Sequence, residues 1–268
     1  MIDLPEDGGG RKYDEPVRRQ GRIAEYVLEQ GSAPIKDLSD LFGVSFITIH
    51  RDLDELERRG VLRKLRGRVT AHPSSSFDSN VRYRLRAAHA EKEALAAFAL
   101  TLVEPGQAVM LDESTTALAL ANLLPSRAPL TVITNFVMVL NRLAGVDEID
   151  LIALGGRYQP HLAAFGGVVC EAATAAISAD VLFLSTSAVA DCSAMHQDQV
   201  TMSGKRAMMA AARRRVLLID HTKLGKVALH KLAPLRDFDL VVVDDGVDEA
   251  QLAELRKCRV PVEVAPVR

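Results

Sequence analysis

Tryptophan is absent from this sequence, and aromatic residues of all kinds make up only 4% of it. No apolar run is long enough to span a bilayer, and the N-terminus is acidic and glycine-rich where a secretory leader would be basic and then apolar. We therefore expect a cytoplasmic protein without a membrane segment. With 48% hydrophobic and 25% charged residues over 268 positions, the composition is that of an ordinary globular protein, and the length predicts two domains.

Cysteine is also scarce, and Cys170, Cys192 and Cys258 are widely separated along the chain. Zinc sites and disulfide frameworks use closely paired cysteines, so we expect three buried free thiols. The histidines lack the short spacing of a metal-binding helix. The sequence therefore predicts neither a bound metal nor another cofactor.

An overall positive charge is missing too, since the net charge is −2, and composition alone does not indicate a polyanion as partner. The distribution of cations is uneven, however. Between Arg58 and Arg68, six of eleven residues are Lys or Arg and none is acidic. This local basic patch is typical of a surface that binds an anionic partner.

Three helices and a hairpin are predicted around this patch. Apolar residues recur at helical spacing in 18–28, 34–42 and 45–59, while Gly43 permits a tight turn and Ser45 can cap the third helix. Two short strands, 61–65 and 68–71, are expected around the next turn. This is the pattern of a winged helix-turn-helix domain, whose reading helix lies in the major groove of DNA.

The outward residues of the third helix and the cations of the wing are the candidates for DNA contacts. Arg51, His50 and Thr48 can donate to bases or phosphates, and Phe46 can touch a thymine methyl group. The predicted DNA-binding residues are Ser45, Phe46, Thr48, His50, Arg51, Arg63, Lys64, Arg66 and Arg68. The alternative is a small interaction domain whose cations form a solvated face.

The chain is divided by these patterns into four parts. We expect a disordered N-terminal tail (1–16), the winged helix-turn-helix domain (17–72), a serine-rich linker (73–81) and an α/β domain (82–268). In the last part an alanine-rich helix over 82–103 precedes apolar strands that alternate with helices, one of them over 204–215. That alternation predicts an open, mostly parallel sheet. Strands are expected at 108–111, 130–134, 149–154, 181–184, 216–219 and 240–243, with a last one near Val260.

Polar turns follow several of these strands, at the edge where ligands of open α/β sheets bind. Hydroxyls and backbone N–H groups after the first strand can hold a phosphate, Asp220 can accept from sugar hydroxyls, and Lys223 can bind phosphate. The candidate effector-binding residues are Asp112, Ser114, Thr115, Thr116, Thr134, Asn135, Gly155, Gly156, Asp220 and Lys223. Each turn also has a purely structural interpretation, such as a helix cap at Ser114 or a tight turn at Gly155-Gly156.

The run from Val44 to Leu53, with Leu56, Glu57, Gly60 and Leu62 after it, resembles the N-terminal signature of the DeoR family of bacterial regulators. The resemblance extends over the α/β domain, in the motifs at 112–116, 134–135, 155–156, 205–208 and 220–223. It implies the fold of sugar-phosphate isomerases and CoA transferases, and binding of a phosphorylated sugar or related catabolite without turnover. It also adds Lys205 to the effector-binding residues.

Departures from the family pattern concern specificity. The family usually has Arg at the position of His50, a Gly-Gly pair at Gly67-Arg68, and Gly at the position of Ser114. The stretch from Leu184 to Ala188 also lacks the glycines usual there. The operator and the effector therefore need not be the usual ones.

The sequence thus predicts a regulator that represses a carbohydrate catabolic operon. Its expected partners are operator DNA, a phosphorylated effector and further copies of itself, because such readers commonly use two heads on symmetric half-sites. Two alternatives stay open. The α/β domain could serve only oligomerisation, or it could be an isomerase-like enzyme with Asp112, Asp220 or Asp245 as its base.

Overall fold

The computed structural model describes residues 14–30, 32–58, 61–71 and 81–267. The chain divides into two compact units, residues 1–77 and 78–268. Most of the tail predicted at 1–16 and of the linker predicted at 73–81 lies outside the described residues, although residues 14–16 begin a helix and Val81 begins another.

The first unit combines three helices with a three-stranded antiparallel sheet. The helices are α1 (Asp14–Gln30), α2 (Ile35–Phe42) and α3 (Phe46–Arg58), and the strands are β1 (Ser32–Pro34), β2 (Leu62–Leu65) and β3 (Arg68–Ala71). The spatial order of the strands is β1-β3-β2. The predicted apolar stripe of Ile49, Leu53 and Leu56 is buried, and Gly43 ends α2 in the left-handed conformation at φ 62°. Strand β1 was not predicted, because three residues are too few to display an alternating pattern.

A buried carboxylate fixes α1 against α3. Asp52 is only 3% exposed. It accepts hydrogen bonds from Arg19 Nε at 2.6 Å and from Gln20 Nε2 at 3.0 Å. Because a buried charge is costly unless it is paired, these contacts hold the first helix in one place relative to the third.

The second unit is an α/β domain built on a seven-stranded sheet in which all neighbouring strands are parallel. Its strands are β4 (Ala108–Leu111), β5 (Leu130–Thr134), β6 (Ile149–Ala153), β9 (Ala179–Leu184), β12 (Ala212–Ile219), β14 (Leu240–Asp244) and β15 (Val262–Ala265). Their spatial order is β15-β14-β12-β9-β4-β5-β6. The order places the ends of β12, β9 and β4 side by side in the middle of the sheet.

Helices cover both faces of the sheet. The domain begins with α4 (Val81–Arg84) and continues with α5 (His89–Leu100), α6 (Thr115–Ala121), α7 (Val137–Leu143), α8 (Val168–Ala175), α9 (Gln199–Ala211) and α10 (Glu249–Lys257). Alternate residues of one strand enter different cores. Val109 and Leu111 pack with α5, α6 and α7, whereas Met110 packs with α8, α9 and α10. This alternation explains why the strands are apolar throughout.

Smaller strands join the connections. A hairpin is formed by β7 (Arg157–Gln159) and β8 (Ala164–Gly166), and a three-stranded sheet by β10 (Ala188–Ala190), β11 (Ser193–His196) and β13 (His230–Pro234). None of these strands was predicted.

None of the helices in the described part of the chain combines the length and the apolarity that a bilayer crossing requires.

The long helix predicted over 82–103 is interrupted. A turn separates α4 from α5, and Ala88 at its end has a φ of +50°. The alanine content favours a continuous helix, but a side chain of α5 binds carbonyl groups of the turn. The ammonium of Lys92 donates to the backbone oxygens of Arg84 and Ala87. Helical propensity is therefore overridden by side-chain contacts to the backbone within the same segment.

The helix predicted over 204–215 was misplaced. Helix α9 ends at Ala211, and Arg213, Arg214 and Arg215 belong to β12. Sheet pairing explains the difference, since residues 212–217 align with β9. These arginines therefore lie at the start of a strand, at the sheet edge opposite to the one where the strand C-termini meet.

The cysteine prediction was wrong for two residues. Cys192, beside the β10–β11 turn, and Cys258, at the end of α10, form a disulfide across 66 positions of sequence. Cys170 is a buried free thiol, as expected. Sequence spacing could not reveal the pair, because folding of two distant segments brings the sulfurs together.

Candidate functional site

The first turn of α3 is built by a cap at Ser45. The Ser45 hydroxyl accepts from the backbone N–H of Thr48 at 3.2 Å and lies 2.8 Å from the Thr48 hydroxyl. Capping of this kind satisfies one of the unpaired N–H groups at a helix start. Ser45 therefore sets where the predicted reading helix begins.

The solvent face of α3 is unusually apolar. Phe46 is 54% exposed and Ile47 is 82% exposed, and the ring of Phe46 lies 4.6 Å from that of His50. Arg51 is exposed on the next turn. An arginine beside exposed apolar groups matches the mixture of hydrogen-bond acceptors and methyl groups in the major groove.

The cations of the wing have different environments. Lys64 donates to the carboxylate of Asp54 through its ammonium and to Glu57 Oε1 through its backbone N–H, the latter at 2.7 Å. Arg68 donates to Ser32 Oγ at 2.8 Å. These contacts fix the hairpin to α3 and β1. Arg63 and Arg66 are exposed at its surface.

The second candidate site is a cavity above the ends of β4, β9 and β12. Among the described residues, its lining includes five basic side chains and one carboxylate. These charged groups are Arg84, Lys92, Lys205, Lys223, Lys226 and Asp220. Hydroxyl groups and one imidazole complete the polar lining, from Ser114, Thr115, Thr116, Ser185, Thr186, Ser187, Thr222 and His196.

Lys223 and Asp220 form one wall of the cavity. Lys223 Nζ lies 3.2 Å from Asp220 Oδ2 and donates to Ser185 Oγ at 3.3 Å. Burial would raise the pKa of Asp220, but the Lys223 ammonium and the Thr222 hydroxyl outweigh it and lower that pKa. The Lys223 side chain keeps 23% of its surface exposed. Its ammonium is thus fixed by one carboxylate and still reaches the solvent.

Lys205 lies deeper and is held by two carboxylates. Its ammonium contacts Asp112 Oδ2 and Glu113 Oε1, the second at 2.8 Å. Burial lowers the pKa of Lys205, but Asp112 and Glu113 outweigh it and raise that pKa. Burial likewise favours a high pKa for Glu113, and Lys205 reverses the direction. The three groups form a charged cluster beneath the cavity.

Asp112 also organises the backbone around the cavity. Its Oδ1 accepts from the N–H of Ser114 at 3.0 Å, and its Oδ2 accepts from the N–H of Ser185 at 2.9 Å. The Asp112 side chain is fully buried. It therefore supports the loops after β4 and β9 from below.

The three predicted hydroxyl residues after β4, at positions 114–116, have different roles. Ser114 Oγ accepts from Ala117 N at 3.0 Å and caps α6, which is the structural interpretation weighed for it. Thr115 Oγ1 donates to Arg84 O at 3.1 Å. Thr116 Oγ1 is buried on the cavity wall without a hydrogen-bond partner among the described residues.

Four predicted effector residues lie away from this cavity. Thr134 Oγ1 accepts from Phe136 N at 3.0 Å, and Asn135 Nδ2 donates to Phe165 O at 2.8 Å. A Cβ at Gly156 would approach Gly166 O to 2.8 Å, so this glycine permits close packing of the chain. These residues, with Gly155, follow β5 and β6. Both strands lie at one side of the sheet, beyond the central strands.

Several lining residues were not predicted as effector-binding, and His196 is the clearest case. Its Nδ1 accepts from the N–H of Asp198 at 3.1 Å, which leaves the proton of the neutral ring on Nε2. Burial, with the positive charges of Lys205 and Arg84, lowers its pKa to about 3. His196 therefore contributes a neutral hydrogen-bond donor. Only its place in the fold, not sequence spacing, connects it with the other residues.

Lys92, Arg84 and Lys226 were missed for a similar reason. Lys92 and Arg84 belong to the first helices of the domain, whereas the predicted ligand-binding residues all follow strands or lie in the motif at 205–208. Lys226 follows the turn at 220–223 by three residues. Among the described residues, no group of three or more His, Cys, Asp or Glu is arranged to hold a metal ion.

Comparison with known proteins agrees with this two-part organisation. Residues 19–75 match the DeoR-like helix-turn-helix domain, and residues 87–245 match the DeoR C-terminal sensor domain. The uncharacterized regulator YgbI of Escherichia coli K12 is 34% identical over 244 residues, which cover 90% of this chain and 95% of that protein.

Relatives with named operons are similar over nearly their whole length. A putative aga operon transcriptional repressor of Escherichia coli O157:H7 is 29% identical, over 95% of this chain and 96% of that protein. The L-fucose operon activator of Haemophilus influenzae is 29% identical, over 86% and 93%. A ribose 5-phosphate isomerase A from Methanocaldococcus jannaschii has a TM-score of 0.38 at 18% identity, over 50% of this chain and 54% of that chain, a likeness too low to bear on function.

The helix-turn-helix match, the sensor-domain match and the relatives together confirm the resemblance seen in the sequence, and the chain belongs to the DeoR family of DNA-binding transcriptional regulators.

Proposed function

We propose that this regulator represses a carbohydrate catabolic operon, and that a phosphorylated sugar or related metabolite bound in the cavity changes its affinity for operator DNA. The observation that carries the proposal is the charge of the cavity. Lys205 is neutralised by Asp112 and Glu113 beneath the cavity, but the four other basic side chains of the lining face one carboxylate, that of Asp220, and this excess of positive charge favours an anion. The hydroxyl-rich remainder of the lining favours a polyhydroxylated ligand.

The proposed roles follow from exposure and existing bonds. Lys223 and Lys226 bind the phosphate, because their ammonium groups reach the solvent-accessible part of the cavity. The unpartnered hydroxyl of Thr116 and the Nε2–H of His196 bind oxygens of the sugar. Asp220 accepts from a sugar hydroxyl while it orients Lys223.

The relatives support carbohydrate control but differ in the sign of regulation. One is named as a repressor of the aga operon and another as an activator of an L-fucose operon. Repression by this chain is therefore a proposal in its own right.

An enzymatic use of the cavity is the alternative from the same geometry. A base over the sugar would need a carboxylate with a free lone pair directed at the substrate. Both oxygens of Asp112 accept bonds from the chain itself. Lys223 and Thr222 lower the pKa of Asp220, which makes this carboxylate a weak base although it can still accept a hydrogen bond. Asp245 does not line the cavity. These contacts favour binding without turnover.

We also infer a homo-oligomer that works in the cytoplasm. Helix-turn-helix readers commonly place two heads on symmetric half-sites, and the DNA they read is cytoplasmic in bacteria. The α/β unit could provide the contact between copies. Disulfides are uncommon in that compartment, so the Cys192–Cys258 bond is a feature that does not follow from this proposal.

Thermal unfolding against pairs of phosphorylated and unphosphorylated sugars and polyols tests the proposal. A ligand that binds the folded state at a hundred times its Kd adds about 2.7 kcal/mol of stability and raises Tm by several degrees. We expect Tm to rise with the phosphorylated compounds only.

Two variants test the role of the cavity. Lys223→Ala should reduce the rise in Tm, whereas Lys257→Ala, which removes an exposed lysine paired with Glu254 outside the cavity, should keep it. The absence of a shift with every compound would contradict the proposal.

A further inference from the structure

Lys92 occupies two environments at once. It lies in the first turn of α5 and is 6% exposed. Its ammonium donates to the backbone oxygens of Arg84 and Ala87, in the turn between α4 and α5, and the same side chain lines the cavity. An ammonium has three N–H donors. Two are used by the turn, which leaves one for a ligand.

The charges around Lys92 make it sensitive to an anion. Burial and the positive charge of Lys223 lower its pKa to about 8, and Arg84 acts in the same direction. Asp220 and Glu91 act in the opposite direction. An anion between Lys92 and Lys223 would remove their mutual repulsion and favour the charged form of Lys92. Hydrogen bonds from a charged donor are stronger than those from a neutral amine.

We propose that Lys92 couples the anion cavity to the turn between α4 and α5, so that an anion bound against its ammonium strengthens the two bonds to that turn and orders it. This inference rests on the proposed function, because it requires the cavity to bind an anion. It adds a route by which the effect of anion binding is transmitted from the cavity to the turn. Lys92 is here a ligand contact and a positioning residue for the turn.

The turn is well placed to transmit such a change. Arg84 Nη1 donates to Glu113 O at 3.1 Å, and Thr115 Oγ1 donates to Arg84 O at 3.1 Å. The cavity wall and the turn therefore share hydrogen bonds. In the chain, α4 directly follows residues 72–80, which lead from the DNA-binding unit. Along the sequence, only α4 separates the turn from the segment that leads to the DNA-binding unit.

Hydrogen exchange of the full-length protein, with inorganic phosphate as the probe, tests this coupling. Where inorganic phosphate gives no thermal shift, the probe is the phosphorylated compound with the largest shift. Peptides that cover residues 84–92 contain the amides of Leu85 and Lys92, which donate to Val81 and Ala88. The exchange is measured at pH 9, where Lys92 with a pKa of about 8 is mostly neutral without ligand. At saturating ligand we expect these amides to exchange about fivefold more slowly there, the gain of a charged over a neutral donor.

Two variants separate the role of Lys92 from a general loss of charge. Lys92→Gln keeps N–H donors for the turn but has no charge, so the ligand should no longer slow exchange there. Lys226→Gln removes a cavity charge that has no bond to the turn in the described structure. It should bind phosphate more weakly and still show the slower exchange at saturation.

A second measurement serves if Lys92→Gln fails to fold. Phosphate stays dianionic between pH 8 and 10. In the ligand-free wild-type protein, Lys92 loses its proton over the same range, so that phosphate can bind its ammonium only after the amine takes up a proton. Affinity should fall up to about tenfold per pH unit above 8, with proton uptake on binding. Binding with unchanged or faster exchange in the turn would overturn the coupling alone. A wild-type protein that binds none of the phosphorylated compounds would overturn both the coupling and the proposed function.

Discussion

The lysines that surround the cavity are chemically different, and their partners explain the difference. Lys205 is fully enclosed with Asp112 and Glu113, Lys92 shares its ammonium with the turn, and Lys223 is partly exposed. Loss of a buried cation that lies between two buried carboxylates destabilises the fold whether or not a ligand is bound. The contacts of each lysine therefore separate a structural role, at Lys205, from a ligand-binding role, at Lys223.

Lys205→Met should destabilise the protein far more than Lys223→Met. Removal of one partner of a buried pair leaves an uncompensated charge, at a cost of about 3–5 kcal/mol, and loss of Lys205 leaves two such carboxylates. Asp220 is buried as well, but without Lys223 it keeps the Thr222 hydroxyl and the nearby charge of Lys92. Urea unfolding of the two variants measures the difference. Addition of Asp112→Asn and Glu113→Gln to Lys205→Met should recover part of the loss. Equal stability of both single variants would contradict the assignment of Lys205 as structural.

His196 should make the folded protein sensitive to acid. Its pKa is lowered to about 3 in the fold, against about 6.5 in an unfolded chain. The unfolded state thus binds a proton below pH 6.5 that the folded state does not bind, and stability falls as pH falls. The loss between pH 7 and 5 is about 2 kcal/mol. Urea unfolding at both values should show a smaller loss for His196→Gln, and an equal loss in both proteins would rule out a buried neutral ring.

Among the helices and strands of the DNA-binding unit, α3 carries the residues proposed to read the base sequence. Arg51 stands exposed near its start, among Phe46, Ile47 and His50, in the part of a reading helix that meets base edges. Arg51→Ala should reduce specific binding to the level of nonspecific binding without loss of fold, as judged by fluorescence anisotropy on selected and random DNA. Arg58→Ala, at the other end of α3 and paired with Glu55, is the matched control. Retention of sequence preference in Arg51→Ala would show that another element reads the bases.

Sequence patterns predicted the elements whose signal is local. The strands β4, β5 and β14 are apolar runs bounded by turns, and the stripe at Ile49, Leu53 and Leu56 has a helical period. The break before α5 and the start of β12 were not predictable, because a lysine contact and a neighbouring strand decide them. The same holds for the site. Asp220 and Lys223 stand together in the sequence, but the spatial order of strands decides that Thr134 and Gly155 lie apart from them.

In the whole molecule, the family assignment gives a DNA-binding unit and a sensor unit, and we propose that a phosphorylated ligand of the sensor unit controls DNA binding by the first unit. Such control requires the ligand to bind two states of the protein with different affinity. The coupling is reciprocal, so DNA must change ligand affinity by the same factor. Neither unit alone can display this property.

The most direct measurement is the affinity of the full-length protein for a DNA site enriched from random sequences, with and without the phosphorylated compound that raises Tm most. We predict a change in affinity within the range of about 5-fold to 150-fold that allosteric coupling usually spans. The change should be absent with the unphosphorylated parent and lost in Lys223→Ala. A compound that binds tightly in the cavity and leaves DNA affinity unaltered would contradict the account.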